Sequence, residues 1–293
     1  MLVSIVIRTL NEAKYLEQLL QGIKAQIVNG FNVEIVVIDS GSTDGTLEIA
    51  QKYQCVIAHI TRDNFSFGRS LNMGCEVASG DVLVFVSGHC VPASSYWLQN
   101  LCSPIIQGKV TYTYGKQLGG DETYFSEARI FAKYFPESSR IPQEGFFCNN
   151  ANSALSREAW LLYKFDEEVT GLEDMELSQR LCVGGGYVGY VADAPVYHYH
   201  SETWPQVRRR FEREALALQK IMPHIQVSLG DTVRYIFTSV WRDCCFAKRE
   251  GILTDNFLKI IRYRFNQYVG SFTGNRQHRQ LSKSDKDKYF YPS

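Results

Sequence analysis

Asp39 closes the apolar run Val33-Glu34-Ile35-Val36-Val37-Ile38 and opens the loop Ser40-Gly41-Ser42-Thr43-Asp44-Gly45. A carboxylate in that place can accept hydrogen bonds from a nucleobase imide or from ribose hydroxyls. It can equally form the turn and cap the next helix. Asp44, just before Gly45 and a helix start, fits the capping role better. Arg69, in Phe67-Gly68-Arg69-Ser70-Leu71-Asn72, brings a guanidinium near a helix start. There it suits a diphosphate, or simply faces solvent. Asn72 reads as a hydrogen-bonding residue that holds this loop. Glu173 and Asp174 open a helix after Gly171, where the helix dipole favours carboxylates and plain capping is one account. In Val196-Tyr197-His198-Tyr199-His200 the i, i+2 spacing puts both imidazoles on one face of a regular strand. The plainer account packs them among tyrosines at a strand end.

Such groups act only if a fold gathers them, and length and composition bound that fold. The chain has 293 residues and a mass of 33.4 kDa, one large domain or two ordinary ones. Apolar residues make up 45% and charged residues 21%, which excludes a disordered chain, a collagen-like chain and a coiled coil. Apolar runs such as Val82-Leu83-Val84-Phe85-Val86 fall far short of the ~20 residues of a membrane-spanning helix. The N-terminus, MLVSIVIRTLNE, carries no basic segment and no small-residue cleavage site. It reads as a first strand and not as a secretion signal, so the expected location is the cytoplasm. Eight cysteines lie scattered through apolar stretches without a CxxC pair. They read as buried reduced thiols and not as a zinc site.

Residues 2–8 and 33–38 are continuous apolar runs rich in β-branched residues, the pattern of strands covered on both faces. Helical spacing of Leu16, Leu19, Leu20 and Ile23 places a helix at 13–25. Further helices are expected at 46–53 and 69–78, and strands at 55–60 and 81–86. This alternation predicts βαβ units and a parallel sheet, with ligands beyond the carboxyl ends of its strands. Asn11, Asp39 and the segment after Val86 all sit at such ends. After residue 110 the alternation fades. Helices are expected at 121–135 and 173–183, an irregular to extended stretch at 145–156 and a strand at 187–192. Three helices follow, at 204–222, 230–248 and 254–268, and the last 20 or so residues read as a polar, poorly ordered tail.

In order, the segments SIVIRTLNEAKYLEQLL, VEIVVIDSGSTDGT, FGRSLNMGCEVASGDVLVFVSG and GLEDMELSQRL resemble glycosyltransferase family 2 over about residues 2–200. The resemblance implies a GT-A fold: a Rossmann-like, mostly parallel sheet flanked by helices, here with a C-terminal helical extension. It implies transfer of a sugar from a nucleotide donor with inversion at the anomeric carbon. Carried over residue by residue, Asp39 contacts the donor base, with Thr9, Asn11 and Glu12 beside it, and Arg69 meets the diphosphate. The ED-x-E-L element makes Asp174 the general base on the acceptor hydroxyl, with Glu173 supporting the acceptor. Ser87-Gly88-His89 stands where the family has Asp-x-Asp, whose second carboxylate helps hold a divalent metal. Here Ser87 and His89 replace both carboxylates. Imidazole suits ions softer than Mg²⁺, such as Mn²⁺ or Zn²⁺, so His89 is either a metal ligand with a changed preference, a direct donor to phosphate, or a satisfied loop histidine. In this family a histidine near His198 and His200 often completes the metal or phosphate site. That stretch, and the FxxGxxxN spacing at 65–72, look like the rhamnosyltransferase branch.

Net charge is zero but unevenly spread. Residues 206–279 hold 14 Lys/Arg against 6 Asp/Glu, whereas residues 1–205 hold 14 against 23. A basic C-terminal part with Arg208, Arg209, Arg210, Arg213, Trp204, Phe211, Trp241, Phe246, Phe257, Tyr263 and Phe265 suits an interfacial helix at 204–220 on an anionic leaflet. It suits equally a lipid-linked pyrophosphate, or the core of a small helical subdomain. The expected organisation is a catalytic domain over 1–203 and a helical acceptor- or membrane-proximal region over 204–293. The reading is a glycosyltransferase using dTDP-rhamnose or a UDP-hexose on a glycan or lipid-linked acceptor, in bacterial surface polysaccharide assembly. Loss of the Asp-x-Asp carboxylates keeps open a decayed fold that only binds carbohydrate. Nucleic acid is not expected as a partner, because no binding motif accompanies the basic stretch.

Overall fold

The computed structural model of the protein describes residues 1–276. The tail expected to be poorly ordered lies, from residue 277 onward, outside the described residues. The described strands are β1 (Leu2–Thr9), β2 (Asn32–Asp39), β3 (Val56–His59), β4 (Val82–Ser87), β5 (Cys90–Pro92), β6 (Tyr112–Gly119), β7 (Asn152–Ser156) and β8 (Val188–His198). The helices are α1 (Ala13–Lys24), α2 (Thr46–Lys52), α3 (Phe67–Val77), α4 (Trp97–Ile106), α5 (Phe125–Tyr134), α6 (Arg157–Tyr163), α7 (Glu173–Val183), α8 (Trp204–Ile221), α9 (Leu229–Arg249) and α10 (Leu253–Asn275). They fall into two compact units. The first comprises 1–120, 135–168 and 173–199; the second comprises 121–134, 169–172 and the chain from His200 onward.

All the strands form one sheet in the first unit, in the order β3-β2-β1-β4-β7-β6-β8-β5. The pairs β1–β2, β1–β4 and β2–β3 are parallel, as the doubly buried Val/Ile runs require. Register brings Thr9 opposite Asp39 and Arg8 opposite Ser87, so these strands end at one edge. Leu16, Leu19, Leu20 and Ile23 of α1 are buried in the core with Ile5, Ile7, Val37 and Val84. Gly74 of α3 lies so close to β1 that a Cβ there would drive into the Val6 side chain. The fading of the alternation has a structural cause. β7 runs antiparallel to both β4 and β6, and β5 runs antiparallel to β8.

The strand read over 187–192 continues to His198, because its second half pairs with β5 and with β6 past an irregularity between Gly115 and Gln117. Pairing of β5 with β8 sets Cys90 opposite His198. Four elements escape the pattern: α4, which contains Pro104, β6, which mixes Thr113, Lys116 and Gln117 among its tyrosines, and the short β5 and α6.

In the second unit α8 and α10 approach closely. A Cβ on Gly270 or Gly274 would strike the α8 backbone at Arg208 or Glu212. A buried pair, Arg264 Nε to Asp243 Oδ2 at 2.8 Å, also takes the Ser126 hydroxyl at 2.7 Å. Trp204 stacks on Tyr124 at 4.4 Å, and Phe211 meets Tyr263 edge-on. Arg210 donates to Glu127 at 2.6 Å and Glu202 at 2.7 Å. These side chains of α8 are therefore spent inside the unit, against the reading of 204–220 as a helix lying on a leaflet. No helix among the described residues is long and apolar enough to cross a membrane.

Candidate active site

The loops after β1 and β2 are laced together by short polar side chains. Asp39 is 1% exposed. Its Oδ1 accepts from Thr9 Oγ1 (3.0 Å) and Ser42 Oγ, and its Oδ2 from the N–H groups of Gly41 and Ser42, both at 2.9 Å. Burial by itself would raise its pKa, but these donors outweigh it and hold the carboxyl below its ordinary value. Asn11, at φ 57 in the left-handed region, donates its N–H to Ser42 Oγ (2.8 Å) and accepts Thr43 N–H at Oδ1 (2.9 Å). Asp44 caps Thr46 and also accepts from Ala13 N–H at 3.0 Å. The Asp39 carboxylate, with about four acceptor sites, is filled from within the protein. In this state it organises the loop.

The segment after β4 brings His89 to a relay of four residues. Glu12 Oε1 lies 2.8 Å from His89 Nδ1, His89 Nε2 lies 3.1 Å from His198 Nε2, and His198 Nδ1 lies 2.7 Å from Gln117 Oε1. The rings stack with centroids 5.0 Å apart. Gly88 leaves room for this arrangement, since a Cβ there would sit 2.8 Å from Glu12 Cγ. Proton positions follow from the network. Ala151 N–H fixes Asn149 Oδ1 as an acceptor, so Gln117 Nε2 donates to it and Gln117 Oε1 accepts from His198 Nδ1–H. A neutral His198 therefore offers an Nε2 lone pair toward His89. Two nitrogens bound side by side to one ion at roughly 2.1 Å stand roughly 3.0–3.4 Å apart, and the His89–His198 spacing of 3.1 Å fits that span. The residues fit a divalent ion held on two imidazoles, with Glu12 and Gln117 orienting the rings from behind.

The third group sits at the start of α7. Asp174 is 6% exposed, and its Oδ2 accepts the Asn150 N–H at 2.8 Å. Burial and the neighbouring Glu173 carboxylate push its pKa up to about 7. Arg8 lies 3.4 Å from Glu173 Oε1. Leu172, directly before Glu173, is held at φ 55, a costly conformation for a bulky residue. Asn149 steadies Gln117 and so His198, while its neighbour Asn150 holds Asp174. One peptide bond thus joins the supports of the imidazole pair and the carboxylate.

Arg69 is otherwise engaged. Its Nε pairs with Glu167 at 2.7 Å and another of its nitrogens donates to the Asn64 carbonyl at 2.9 Å. Asn72 is the structural residue expected: it donates to Phe165 O and Glu167, and accepts from Trp160 Nε1 and Phe165 N–H. Ser87 donates its N–H to Ala151 O. In the second unit His200 Nδ1 lies 2.8 Å from Glu127 Oε1. Burial opposes ionisation of Glu127, but Arg210 and His200 overcome it and hold its pKa at about 2.

Four participants were not singled out from the sequence: Arg8, Gln117, Glu127 and Asn150. Arg8 stood in plain view inside the first apolar run. The other three carry no pattern, because their roles depend on pairings across the sheet or between helices.

The chain belongs to glycosyl transferase family 2, whose description matches residues 4–161. It is similar to the O-antigen chain rhamnosyltransferase RfbN of Salmonella typhimurium, 26% identical over 92% of this chain and 90% of that protein. A second relative is the O-antigen chain rhamnosyltransferase WbaN of Salmonella anatum, 26% identical over 80% of each. Among solved structures it resembles the mannosyltransferase PcManGT from Pyrobaculum calidifontis, in complex with GDP-Man and Mn²⁺, at TM-score 0.64 and 15% identity over 93% of this chain and 86% of that one. Residues 1–349 of S. aureus TarS in complex with UDP-GlcNAc match at TM-score 0.52 and 15% identity over 95% of this chain and 93% of that one. The fold is GT-A with C-terminal helices, and the protein is a glycosyltransferase.

Proposed function

We propose that the protein is an inverting glycosyltransferase of bacterial surface polysaccharide assembly. It moves a sugar, rhamnose from dTDP-rhamnose or a hexose from its UDP form, onto a glycan or lipid-linked acceptor. Asp174 carries the reading: a buried carboxylate with a pKa near 7 takes a proton at neutral pH and is ionised often enough to do so. It removes the acceptor hydroxyl proton as that oxygen attacks the anomeric carbon. The bond from that carbon to the diphosphate breaks, and the nucleoside diphosphate leaves from the opposite face. Glu173, beside Arg8, orients the acceptor.

The donor lies across the strand ends, with its base against the Asp39 loop, Thr9, Asn11 and Glu12, and its diphosphate toward Ser87, Gly88, His89 and Arg69. Arg69 must exchange part of its contact with Glu167 to reach it. His89 and His198, with His200, whose Nδ1 bonds Glu127, as the third expected ligand, would hold a divalent cation, Mn²⁺ in preference to Mg²⁺. When bound, the ion would supply positive charge to the departing diphosphate. Residues 1–203 act as the catalytic domain, and 204–293 as the acceptor- or membrane-proximal region. The protein works in the cytoplasm, at the inner face of the membrane. Similarity to the two rhamnosyltransferases supports the pathway and a rhamnosyl donor first.

The test incubates the full chain with dTDP-rhamnose and with UDP- and GDP-sugars, and follows donor turnover and product anomer by NMR. Turnover with the anomeric configuration inverted is expected. No turnover of any donor would leave the decayed, carbohydrate-binding reading.

A further inference from the structure

The aromatic residues of the C-terminal part divide sharply in the folded protein. Trp204, Phe211 and Tyr263 pack against rings of their own unit, and Phe246 lies under Arg129, 3.8 Å from ring centre to guanidinium carbon. Phe237 and Trp241 of α9 do the opposite, each 72% exposed. They continue a row at every fourth residue, Leu229, Val233, Phe237 and Trp241, all exposed along one side of α9. On α10, Leu258 is 65% and Phe265 51% exposed. Single exposed apolar residues are ordinary, but a row of this length with two large rings marks a surface that another phase covers.

We infer that α9 docks on an anionic lipid bilayer through Leu229, Val233, Phe237 and Trp241. Charge selects this occupant. Arg242, Lys248 and Arg249 on α9 and Lys259 and Arg262 on α10 are exposed, against the exposed acids Glu250, which caps α9, and Asp255 on α10. Arg234, also exposed, pairs with Asp231 at 3.0 Å. Lys248, exposed and seven residues after Trp241, lies on the same side of α9 as the row, so its head reaches phosphate while the rings enter the acyl boundary. A second protein copy carrying the same positive charge would be repelled, whereas an anionic leaflet attracts it. The inference deepens the membrane contact of the proposed function and moves it from α8 to α9. Its readout is vesicle binding, so it fails or stands apart from sugar transfer.

Full-length protein is sedimented with vesicles of phosphatidylcholine containing phosphatidylglycerol, and with phosphatidylcholine alone. Binding to the anionic vesicles is expected, weakening with salt. The pair Phe237→Ser and Trp241→Ser lowers the partition coefficient at least about tenfold. Lys248→Gln lowers it about fivefold on anionic vesicles, and hardly at all on neutral ones. Because these side chains are exposed, the variants keep the wild-type melting curve and turn over donor on a soluble acceptor. The emission attributable to Trp241, found by difference from Trp241→Phe, moves to shorter wavelength on adding anionic vesicles. The inference is overturned if neither vesicle binds, or if the double variant binds as wild type does. It is overturned too if Trp241 emission is already blue without lipid, or if the row holds a dimer that the double variant dissolves.

Discussion

Nε2 of His89 stands 3.1 Å from Nε2 of His198, and each ring is closed from behind by an oxygen, Glu12 Oε1 on one side and Gln117 Oε1 on the other. Both ends are acceptors, so each ring directs an Nδ1–H outward, and the inner pair has room for one proton or one cation between two lone pairs. By its resemblance to the family motif, His89 stands at the position of the second Asp-x-Asp carboxylate. The chemistry of the donor set, two neutral imidazoles, then favours Mn²⁺ over Mg²⁺. EDTA is expected to abolish turnover, with Mn²⁺ restoring it better than Mg²⁺. Full activity in EDTA would leave the imidazoles as direct partners of phosphate.

Gln117 is the residue behind His198, buried at 2% exposure. Gln117→Leu removes the oxygen that fixes the ring tautomer while keeping bulk. Loss of such a support costs about 10–100-fold in metal affinity or activity. A Mn²⁺ titration followed by electron paramagnetic resonance reads it directly. Wild-type affinity in the variant would show that His198 needs no such partner.

Asp174→Asn keeps the size of the side chain but cannot take a proton at neutral pH. Turnover is expected to fall at least about 100-fold, with nucleotide affinity unchanged. The wild-type rate has a predictable pH dependence. A base works ionised, and burial with Glu173 raises Asp174 to about 7, so kcat rises as pH climbs through about 7. An activity plateau that already extends down to pH 5 would move the base elsewhere, with Glu173 the next candidate.

Asp39→Ala tests a revised role. Read from the sequence, this change weakens nucleotide binding with little effect on stability. The structure gives the carboxylate four internal donors, so removal leaves buried Thr9 and the partly buried donors of Gly41 and Ser42 without their acceptor. A loss of about 2–3 kcal/mol is expected, the scale of hydrogen bonds to a charged group. Urea unfolding measures it, and calorimetry with dTDP, UDP and GDP measures the accompanying loss of affinity. An unchanged unfolding midpoint would return Asp39 to a purely ligand-facing role.

Glu127 ties α5 to α8 through Arg210, and its pKa is held at about 2 against 4.5 unperturbed. A depressed carboxyl contributes stability that is present above the unfolded value and is lost as pH falls. The loss is therefore expected between about 4.5 and about 2. Glu127→Gln removes one partner of a buried pair, a change that costs about 3–5 kcal/mol. It should also flatten the acid limb of the stability curve. Denaturant melts from neutral to low pH decide this, and an acid limb as steep as that of the wild type would assign it to other carboxylates.

The N-terminal half was legible in the sequence because its strands are buried on both faces. A strand wrapped by helices must be apolar throughout, and Leu2–Thr9, Asn32–Asp39 and Val82–Ser87 follow from that pattern alone. Strand ends then share one edge of the sheet, so Asn11, Asp39 and the 87–89 loop follow from the alternation, whereas the ED pair is legible only through its resemblance to the family motif. The chain also determined the helical character of 204–275. Pairing was not legible. β6, β7 and β8 run in mixed directions, and no local periodicity records which strand lies beside which. That pairing sets Cys90 opposite His198 and so gives His89, Gln117 and Glu12 their common relay. Burial likewise belongs to the tertiary structure. Asp39 looked like a free carboxylate until its loop folded back on it, and the Asp174 carboxyl reaches a pKa of about 7 only because burial and Glu173 raise it. Packing decided the aromatic helices too. Composition announced rings among basic residues, but only the fold separated those packed inside, Trp204 and Phe211, from those left in water, Phe237 and Trp241.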